Sequence, residues 1–548
     1  MATPTAGAPQ VYGADEVNAV VLDPGSYTTK IGYAGEDCPN IVLPSYYGEY
    51  EIEPESKTSE TDATTEPLEK KYGKVLNETM LSTPRSGNYE IKPILKENII
   101  IDWEGAMSQY DFMFDELRII PEEQPLLMTQ STLNTYDNKS KALEYFLEEK
   151  NFCAFYMVHQ PTCVSFAHGR PNCLVVDIGH DLITVTPIID GICLKKQVLG
   201  TSYAGSYLNQ ELTQLLSFRK TPIVPHYKIK SKSPIYWNKQ KNLIDNIEIV
   251  EKYKLKEFKF EITKSFDDFQ NLKVLNEMKE TLIDCEIFNN DNNKNKDSSE
   301  NIDSDKKDFD PTSYDNTSDD TRYYELPNGI NIPFNKYERT RLGDTLFNPS
   351  LGFTGDANEK LPIVKGWERP QEGDILNYVG NKGEKSGKEY VPLRRAKKVE
   401  DEEKMEVDGE AEANEKEARL KEGLDKDGNP KIYTAEEMSK ARGITNLIHQ
   451  LLSNLDIDIK PQLANNIIVT GASSLIPGLT ERINSELSLL NPSLKIRIHS
   501  SGSAVERKYA AWIGGSILAS LGTFHQLWVS KAEYEEVGAS RLIVSRFR

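Results

Sequence analysis

Two stretches of this chain follow one plan, and the repetition limits what the chain can fold into. "NAVVLDPGSYTTKIGYAG" (18–35) runs apolar up to Asp23, turns at Pro24-Gly25 and resumes as alternating apolar residues. "LVVDIGHDLITVTP" (174–187) does the same at Asp177, 154 residues later. Gly179 sits in its turn, His180 and Asp181 follow side by side, and a further hairpin turn comes at Asp190-Gly191. Apolar runs broken by such residues read as strand, tight turn, strand. A chain that carries the unit twice, each copy with a carboxylate and a glycine turn, points to a duplicated α/β architecture with a cleft between like halves. The turn amides can cradle phosphate oxygens, and the two carboxylates can hold waters around a magnesium ion. A D-x-G hairpin is also a common ordinary turn, and that reading stands beside the first.

A third element has the same chemistry in another form. "NNIIVTGASSLIPGLTERINSEL" (465–487) reads as a buried strand, a turn at Gly471 followed by the small residues Ala472 to Ser474, and Pro477-Gly478 opening an amphipathic helix. A strand that feeds a glycine turn and a helix N-terminus is a ready site for a nucleotide's phosphate or sugar.

The 548 residues exceed what one hydrophobic core can organise, so two or more domains are expected. The net charge of -20 is concentrated in three places. Residues 51–66, 286–320 and 400–417 carry -5, -7 and -8, which leaves the rest of the chain near neutral. The second and third stretches are poor in aromatic and branched apolar residues and predict exposed insertions, the larger a disordered one over 355–438. Such runs are either solubilising loops or docking surfaces for basic partners such as histones. No Lys/Arg stripe with interleaved aromatics is read from the sequence, so direct nucleic-acid binding is not expected. The first residues show no secretory signal, and the longest apolar stretch, Ala510 to Phe524, is too short and too rich in Gly and Ser for a bilayer. A soluble intracellular protein with no membrane partner is predicted. The six cysteines are scattered without a CxxC pair, which predicts reduced thiols and no zinc site.

These elements carry a family likeness. "LDPGSYTTKIGYAGEDCPNIVLPS" (22–45), "DELRIIPEEQPLLMTQSTLN" (115–134), "LVVDIGHDLITVTP" and "VTGASSLIPGL" (469–479) stand in the order found in actin, and "ERKYAAWIGGSILASLGTFHQLWVSKAEYEEVG" (506–538) matches it nearly residue for residue. The chain resembles actin and the actin-related proteins across most of its length. "QVYGADEVNAVVLDPGSYTTKIGYAG", "GRPNCLVVDIGHD" and the ending "SRFR" are most similar to the nuclear members of the family. The resemblance implies the two-domain α/β actin fold, a duplicated ribonuclease H-like fold, with ATP and magnesium in a central cleft. One domain would be 1–167 with 510–548, including a variable segment 45–90, and the other 168–509 with the insertions 286–320 and 355–438. It also implies a nuclear subunit shared by histone acetyltransferase complexes of the NuA4 type and ATP-dependent chromatin-remodelling complexes, active in transcription regulation and DNA repair.

Site residues follow from the same resemblance. Asp23 and Asp177 match the acids of the metal-nucleotide site, which hold magnesium through water. Gly25, Ser26, Tyr27, Lys30, Gly179, His180 and Asp181 match the phosphate loops, Gly471, Ala472 and Ser473 the adenosine turn, and Lys508 and Tyr509 the adenosine-contacting Lys-Tyr pair. Gln160 matches the glutamine that orients the attacking water. The histidine that assists hydrolysis falls at Thr184, and threonine cannot act as a base near neutral pH. His180 is offset from that position by four residues, which on a strand keeps the face but moves the group roughly 13 Å along. A phosphate or metal-water contact therefore suits it better than general-base work. Tyr27 and Ala472 stand where actin has glycines, which serve positive φ or close ligand approach. ATP binding without hydrolysis is the expectation.

Phe166, Gly169, Ile517, Leu518, Leu521, Phe524 and Leu527 match positions lining actin's apolar groove, which in chromatin complexes receives a long scaffold helix alongside actin. Simple core is the competing reading of these seven. Segment 45–90 replaces the filament-contacting loop with an acidic, Thr-rich stretch, which opposes polymerisation. "LRRAKK" (393–398) is a weak import signal. The alternative function is an active actin-like ATPase capable of filament assembly.

Overall fold

The computed structural model describes residues 19–52, 71–233, 253–286, 320–352 and 443–547. Two six-stranded sheets carry the architecture. The first runs, in spatial order, Val529–Ser530, Ala154–His159, Leu126–Gln130, Val20–Pro24, Thr28–Tyr33, Ile41–Pro44. The second runs Ile192–Cys193, Ile183–Ile189, Cys173–Ile178, Ile467–Thr470, Ile498–His499, with Leu199–Thr201 also pairing Ile183–Ile189. Their centres are built alike. Val20–Pro24 pairs antiparallel with the strand that follows its turn and parallel with Leu126–Gln130. Cys173–Ile178 pairs antiparallel with Ile183–Ile189 and parallel with Ile467–Thr470. The parallel central strands are covered on both faces, so they read as unbroken apolar runs rather than alternations; all five residues of Val20–Pro24 and of Leu126–Gln130 are buried.

Register turns this duplication into chemistry. Asp23 lies directly opposite Lys30, and Asp177 directly opposite Thr184. Cross-strand partners share a face of the sheet, so the residue seven positions after each carboxylate stands beside it.

Each sheet has its own core. The first is closed by the helix Trp103–Leu117 and by residues near the C-terminus such as Leu542 and Phe547. The second is closed by the helices Gly205–Phe218, Lys264–Leu282, Ile444–Asn454 and Leu479–Leu490. Between them the helices Gln160–Ala167 and Ala504–Ser520 pack closely enough that a Cβ on Gly514 would stand 1.7 Å from the Cys163 carbonyl oxygen. Trp512 on the same helix is fully buried and donates its indole N–H to the Val21 carbonyl at 3.0 Å. Ser503 caps the helix, its side chain accepting from the Glu506 amide.

Tyr46–Ile52, Lys71–Val75 and Glu90–Pro93 form a three-stranded sheet, with residues 53–70 outside the described residues. The insertion 355–438 lies wholly outside them, as does 286–320 apart from Glu286 and Asp320. All six cysteines are free thiols. No helix among the described residues is long and apolar enough to cross a membrane.

Gly514→Ala places a methyl group against backbone, which cannot rotate away. The expected cost is at the top of the overpacking range, about 3 kcal/mol, read as a clear fall in melting temperature; an unchanged melt would show that the two helices can separate freely.

Candidate functional site in the cleft

The turn after Val20–Pro24 is shaped by its own backbone and by a neighbouring strand. The Gly25 amide donates to the Thr28 carbonyl at 3.1 Å, and the Ser45 amide to the Tyr27 carbonyl at 2.9 Å. Asp23 is buried at the strand's end. One of its oxygens, Oδ2, takes Lys30 Nζ at 3.0 Å; the other, Oδ1, accepts from the Thr129 hydroxyl and from Gln160 Nε2 at 3.1 Å. Burial works against this carboxylate's charge, but Lys30 and the three hydrogen bonds outweigh it and hold the group below the usual aspartate range.

Asp177 faces the opposite situation. Burial and then the charge of Asp23 push it up to about 6, against the smaller pull of Lys30. Its own cross-strand neighbour, Thr184, brings no charge. Gly179 is tied to the Leu182 carbonyl, and its own carbonyl takes the Gly205 amide at 3.2 Å and the Ser473 hydroxyl at 3.0 Å. The second turn, the helix start at Gly205 and the third turn are thereby locked together. Gly471 closes the arrangement at φ +93°, where a Cβ would stand 2.6 Å from Asp177 Oδ1; only glycine fits.

The three turns surround a cavity of about 580 Å³, within the size range of small-molecule sites. Asp23, Gly25, Ser26, Tyr27, Lys30, Gln160, Asp177, Gly179, His180, Gly471, Ala472, Ser473, Lys508 and Tyr509 all reach its wall. Asp181 and Thr184 do not. The Asp181 carboxylate instead accepts from the Glu97 amide at 3.4 Å, and Thr184 is buried behind Asp177. Neither Tyr27 nor Ala472 adopts positive φ, so the glycines lost there cost no backbone strain. The Tyr27 ring becomes wall: it packs on the His180 imidazole with centroids 4.9 Å apart. Burial, aided by Lys279, drops the His180 pKa to about 3, leaving it neutral and without a cation to offer phosphate.

Four further polar wall residues come from outside the three turn segments. Asn98 sits in a two-residue turn with Glu97, both at positive φ, and its side-chain oxygen accepts from the Ser26 amide at 3.1 Å and hydroxyl at 2.8 Å. Asparagine tolerates that backbone, but nothing local in the sequence says which loop the turn reaches. Asn276, Lys279 and Glu280 come from the helix Lys264–Leu282. Lys279 is buried, bonded to the Gly205 carbonyl at 3.0 Å and Asn276 Oδ1 at 2.9 Å, with no carboxylate at ion-pair distance among the described residues. Burial lowers its pKa to about 8, so it stays mostly charged near neutrality. A buried cation facing a cavity favours an anionic occupant.

The two halves also meet outside the cavity. Val75, Leu81, Tyr89 and Ile91 from one side form an apolar group with Tyr227, Phe266 and Phe269 from the other. Across it the Ile91 amide donates to the Ser265 hydroxyl at 3.1 Å, and Lys273 reaches the Ser82 hydroxyl at 2.8 Å. A second cavity, of about 630 Å³, opens on the outer flank of this contact beside Gly87, Tyr227 and Phe260, away from both carboxylates.

At the far surface the seven groove residues divide. Leu518 and Phe524 point inward and belong to the core around Trp512. Phe166, Ile517, Leu521 and Leu527 are each 36–41% exposed, and Gly169 takes φ +61° after the helix Gln160–Ala167. The open apolar lining is therefore four side chains rather than six.

Comparison with known proteins agrees with this geometry. The actin family profile matches residues 14–548, and the chain belongs to that family. It is similar to actin-related protein 4 of Debaryomyces hansenii, 40% identical over 98% of both chains. Actin-related protein 4 of Saccharomyces cerevisiae is 35% identical over 98% of this chain and 99% of its own, and that of Schizosaccharomyces pombe 30% over 97% of each.

Removing one member of the Asp23–Lys30 pair strands a buried charge. Lys30→Met should cost about 3 kcal/mol, while Asp23→Asn/Lys30→Met should cost clearly less than the two single changes together. Thermal melts of the three variants measure this, and strict additivity would show that the pair does not interact.

Proposed function

We propose that this chain is a non-polymerising, ATP-binding structural subunit of nuclear histone acetyltransferase and chromatin-remodelling complexes, and that it holds ATP without turning it over. The observation that carries the reading is the unequal pair at one repeated position. Seven residues after Asp23 stands a lysine aimed into the cavity; seven after Asp177 stands Thr184, buried and off the cavity wall. Threonine offers no base near neutral pH. Gln160, which could orient a water, has its amide nitrogen committed to Asp23 and to the Pro24 carbonyl at 3.3 Å.

The residues present suit magnesium-ATP. Lys30 and the amides of Tyr27 and His180 would hold phosphates; those of Gly25, Ser26 and Gly179 already donate to protein oxygens. Lys279, Glu280, Gly471 to Ser473, Lys508 and Tyr509 would surround sugar and base. No group of three or more His, Cys, Asp or Glu side chains converges among the described residues, which suits a metal held by phosphates and waters, with Asp23 and Asp177 in the outer ring. The metal's contribution is charge neutralisation. ATP spanning both halves stabilises the closed form by mass action, about 2.7 kcal/mol at a hundredfold excess over Kd.

The domain limits 1–167 with 510–548 and 168–509 assign one six-stranded sheet to each half, with the helix Ala504–Ser520 crossing between them. Phe166, Ile517, Leu521 and Leu527 offer a long scaffold helix an apolar seat beside actin, and the acidic insertions offer basic histone segments a counter-charge. Nuclear location and roles in transcription and DNA repair follow from such membership. The second reading, an ATPase that assembles filaments, is favoured by the retained Gln160 and paired acids and opposed by Thr184 and segment 45–90.

Single-turnover measurement with labelled ATP separates the two readings: ATP retained intact for hours supports the scaffold, and steady phosphate release overturns it. Thr184→His should speed hydrolysis measurably, and an unchanged rate counts against the missing imidazole as the cause. Leu521→Glu, at a half-exposed position, should release the chain from its complex with its melting temperature unchanged; retention would mean that the groove is not the docking seat.

A further inference from the structure

At the phosphate turns the two halves of the molecule touch each other directly. Tyr27, in the first turn, packs its ring on the imidazole of His180 in the second, with centroids 4.9 Å apart and planes 32° from parallel. The Tyr27 hydroxyl meets Asn276 of the helix Lys264–Leu282. Asn276 is oriented for that contact by its other partners: its side-chain oxygen accepts from Asn209 Nδ2 at 2.8 Å and from Lys279 Nζ at 2.9 Å. Its own Nδ2 is buried with no other partner among the described residues, and is the donor left for the phenol. Burial raises the Tyr27 pKa against the pull of Asn276, so the hydroxyl is neutral near neutral pH.

A second tie runs beside the first. The Glu97–Asn98 turn is anchored in the first core through Leu95 and Ile100. It donates the Glu97 amide, at 3.4 Å, to the carboxylate of Asp181, the residue after His180. Asn98 in turn holds the amide and hydroxyl of Ser26, the residue before Tyr27. Ser26 to Asn98, Glu97 to Asp181 and His180 to Tyr27 thus close a circuit of six residues from three turns. Four of them, Ser26, Tyr27, Asn98 and His180, line the cavity. The Tyr27 ring belongs to neither sheet's core, and its backbone does not take positive φ, so the turn itself requires no tyrosine. What the side chain adds is a bridge between the halves at the cavity wall.

We propose that Tyr27 is the gate of the cleft: its ring ties the two halves across the phosphate turns, and the nucleotide enters and leaves only when the Tyr27–His180 contact opens. The proposal rests on the reading of the cleft as an ATP site and adds what controls exchange there. A side chain that merely touches a ligand slows its departure. One that joins the two walls of the cleft slows entry and departure alike, because both then wait on a conformational step. The bridge also acts without the ligand, since His180 and Asn276 are protein groups.

Radiolabelled ATP on the full chain tests the assignment, its uptake giving the association rate and a chase with unlabelled ATP the dissociation rate. Tyr27→Ala removes the bridge and keeps the turn's backbone. Both rates should rise about tenfold or more, with the affinity changing less than either. Tyr27→Phe, which keeps the ring on His180, should stay within about threefold of the unaltered chain. Unchanged rates in Tyr27→Ala overturn the proposal. Faster dissociation with unchanged association also overturns it, making Tyr27 a contact to the ligand. If the chain binds no ATP, the reading of the cleft fails, and hydrogen exchange on the nucleotide-free protein decides the gate. The Glu97 amide should then exchange about tenfold faster in Tyr27→Ala, and equal exchange in the two proteins overturns the bridge. Should Tyr27→Ala fail to fold, His180→Ala removes the other side of the contact and gives the same reading.

Discussion

Two carboxylates face one cleft, and one lysine serves both of them. Asp23 holds its charge because Lys30, Thr129 and Gln160 supply a nearly complete shell. Asp177, left with burial and a like-charged neighbour, is pushed up to about 6. Like charges brought together in a poorly solvated place either share protons or acquire a cation. The surroundings fit the second outcome: glycine turns and a buried lysine around the same cavity prepare it for an anion that brings its own metal.

The duplicated fold sets this tension and decides its chemistry. Because both hairpins use the same register, position seven after each carboxylate is equivalent in the two halves. Lys30 and Thr184 are thus alternative answers to one structural question. The lysine compensates charge and lines the cavity; the threonine does neither. On the proposed function, the cleft is complete for binding and deficient for water activation, which suits a permanently liganded structural subunit. The apolar contact of Tyr89 and Ile91 with Phe266 and Phe269 joins the same two halves outside the cavity.

Much of this was legible in the sequence because the decisive signals are local. Asp23, Gly25, Asp177, Gly179 and Gly471 sit in turns whose flanking strands announce them, and the equivalence of Lys30 and Thr184 is a fixed offset along a hairpin. What escaped depends on distance. Asn98 reaches Ser26 across 72 residues, and Lys279 comes from the middle of a helix with nothing beside it to mark a ligand. For Leu518 and Phe524 the sequence leaves groove and core both open, because an apolar residue on a helix or loop does not say which way it faces; both pack in the core around Trp512. Positions fixed by backbone geometry could be read; positions fixed by which elements meet could not.

The most direct test is the magnesium dependence of ATP binding by the purified chain, compared with Asp23→Asn/Asp177→Asn. Removal of magnesium should weaken ATP binding to the unaltered protein at least tenfold, because the paired carboxylates then face the triphosphate uncompensated. The double variant should show little difference with or without the metal. Equal affinities in the unaltered chain under both conditions would contradict the claim that the carboxylate pair governs the cleft.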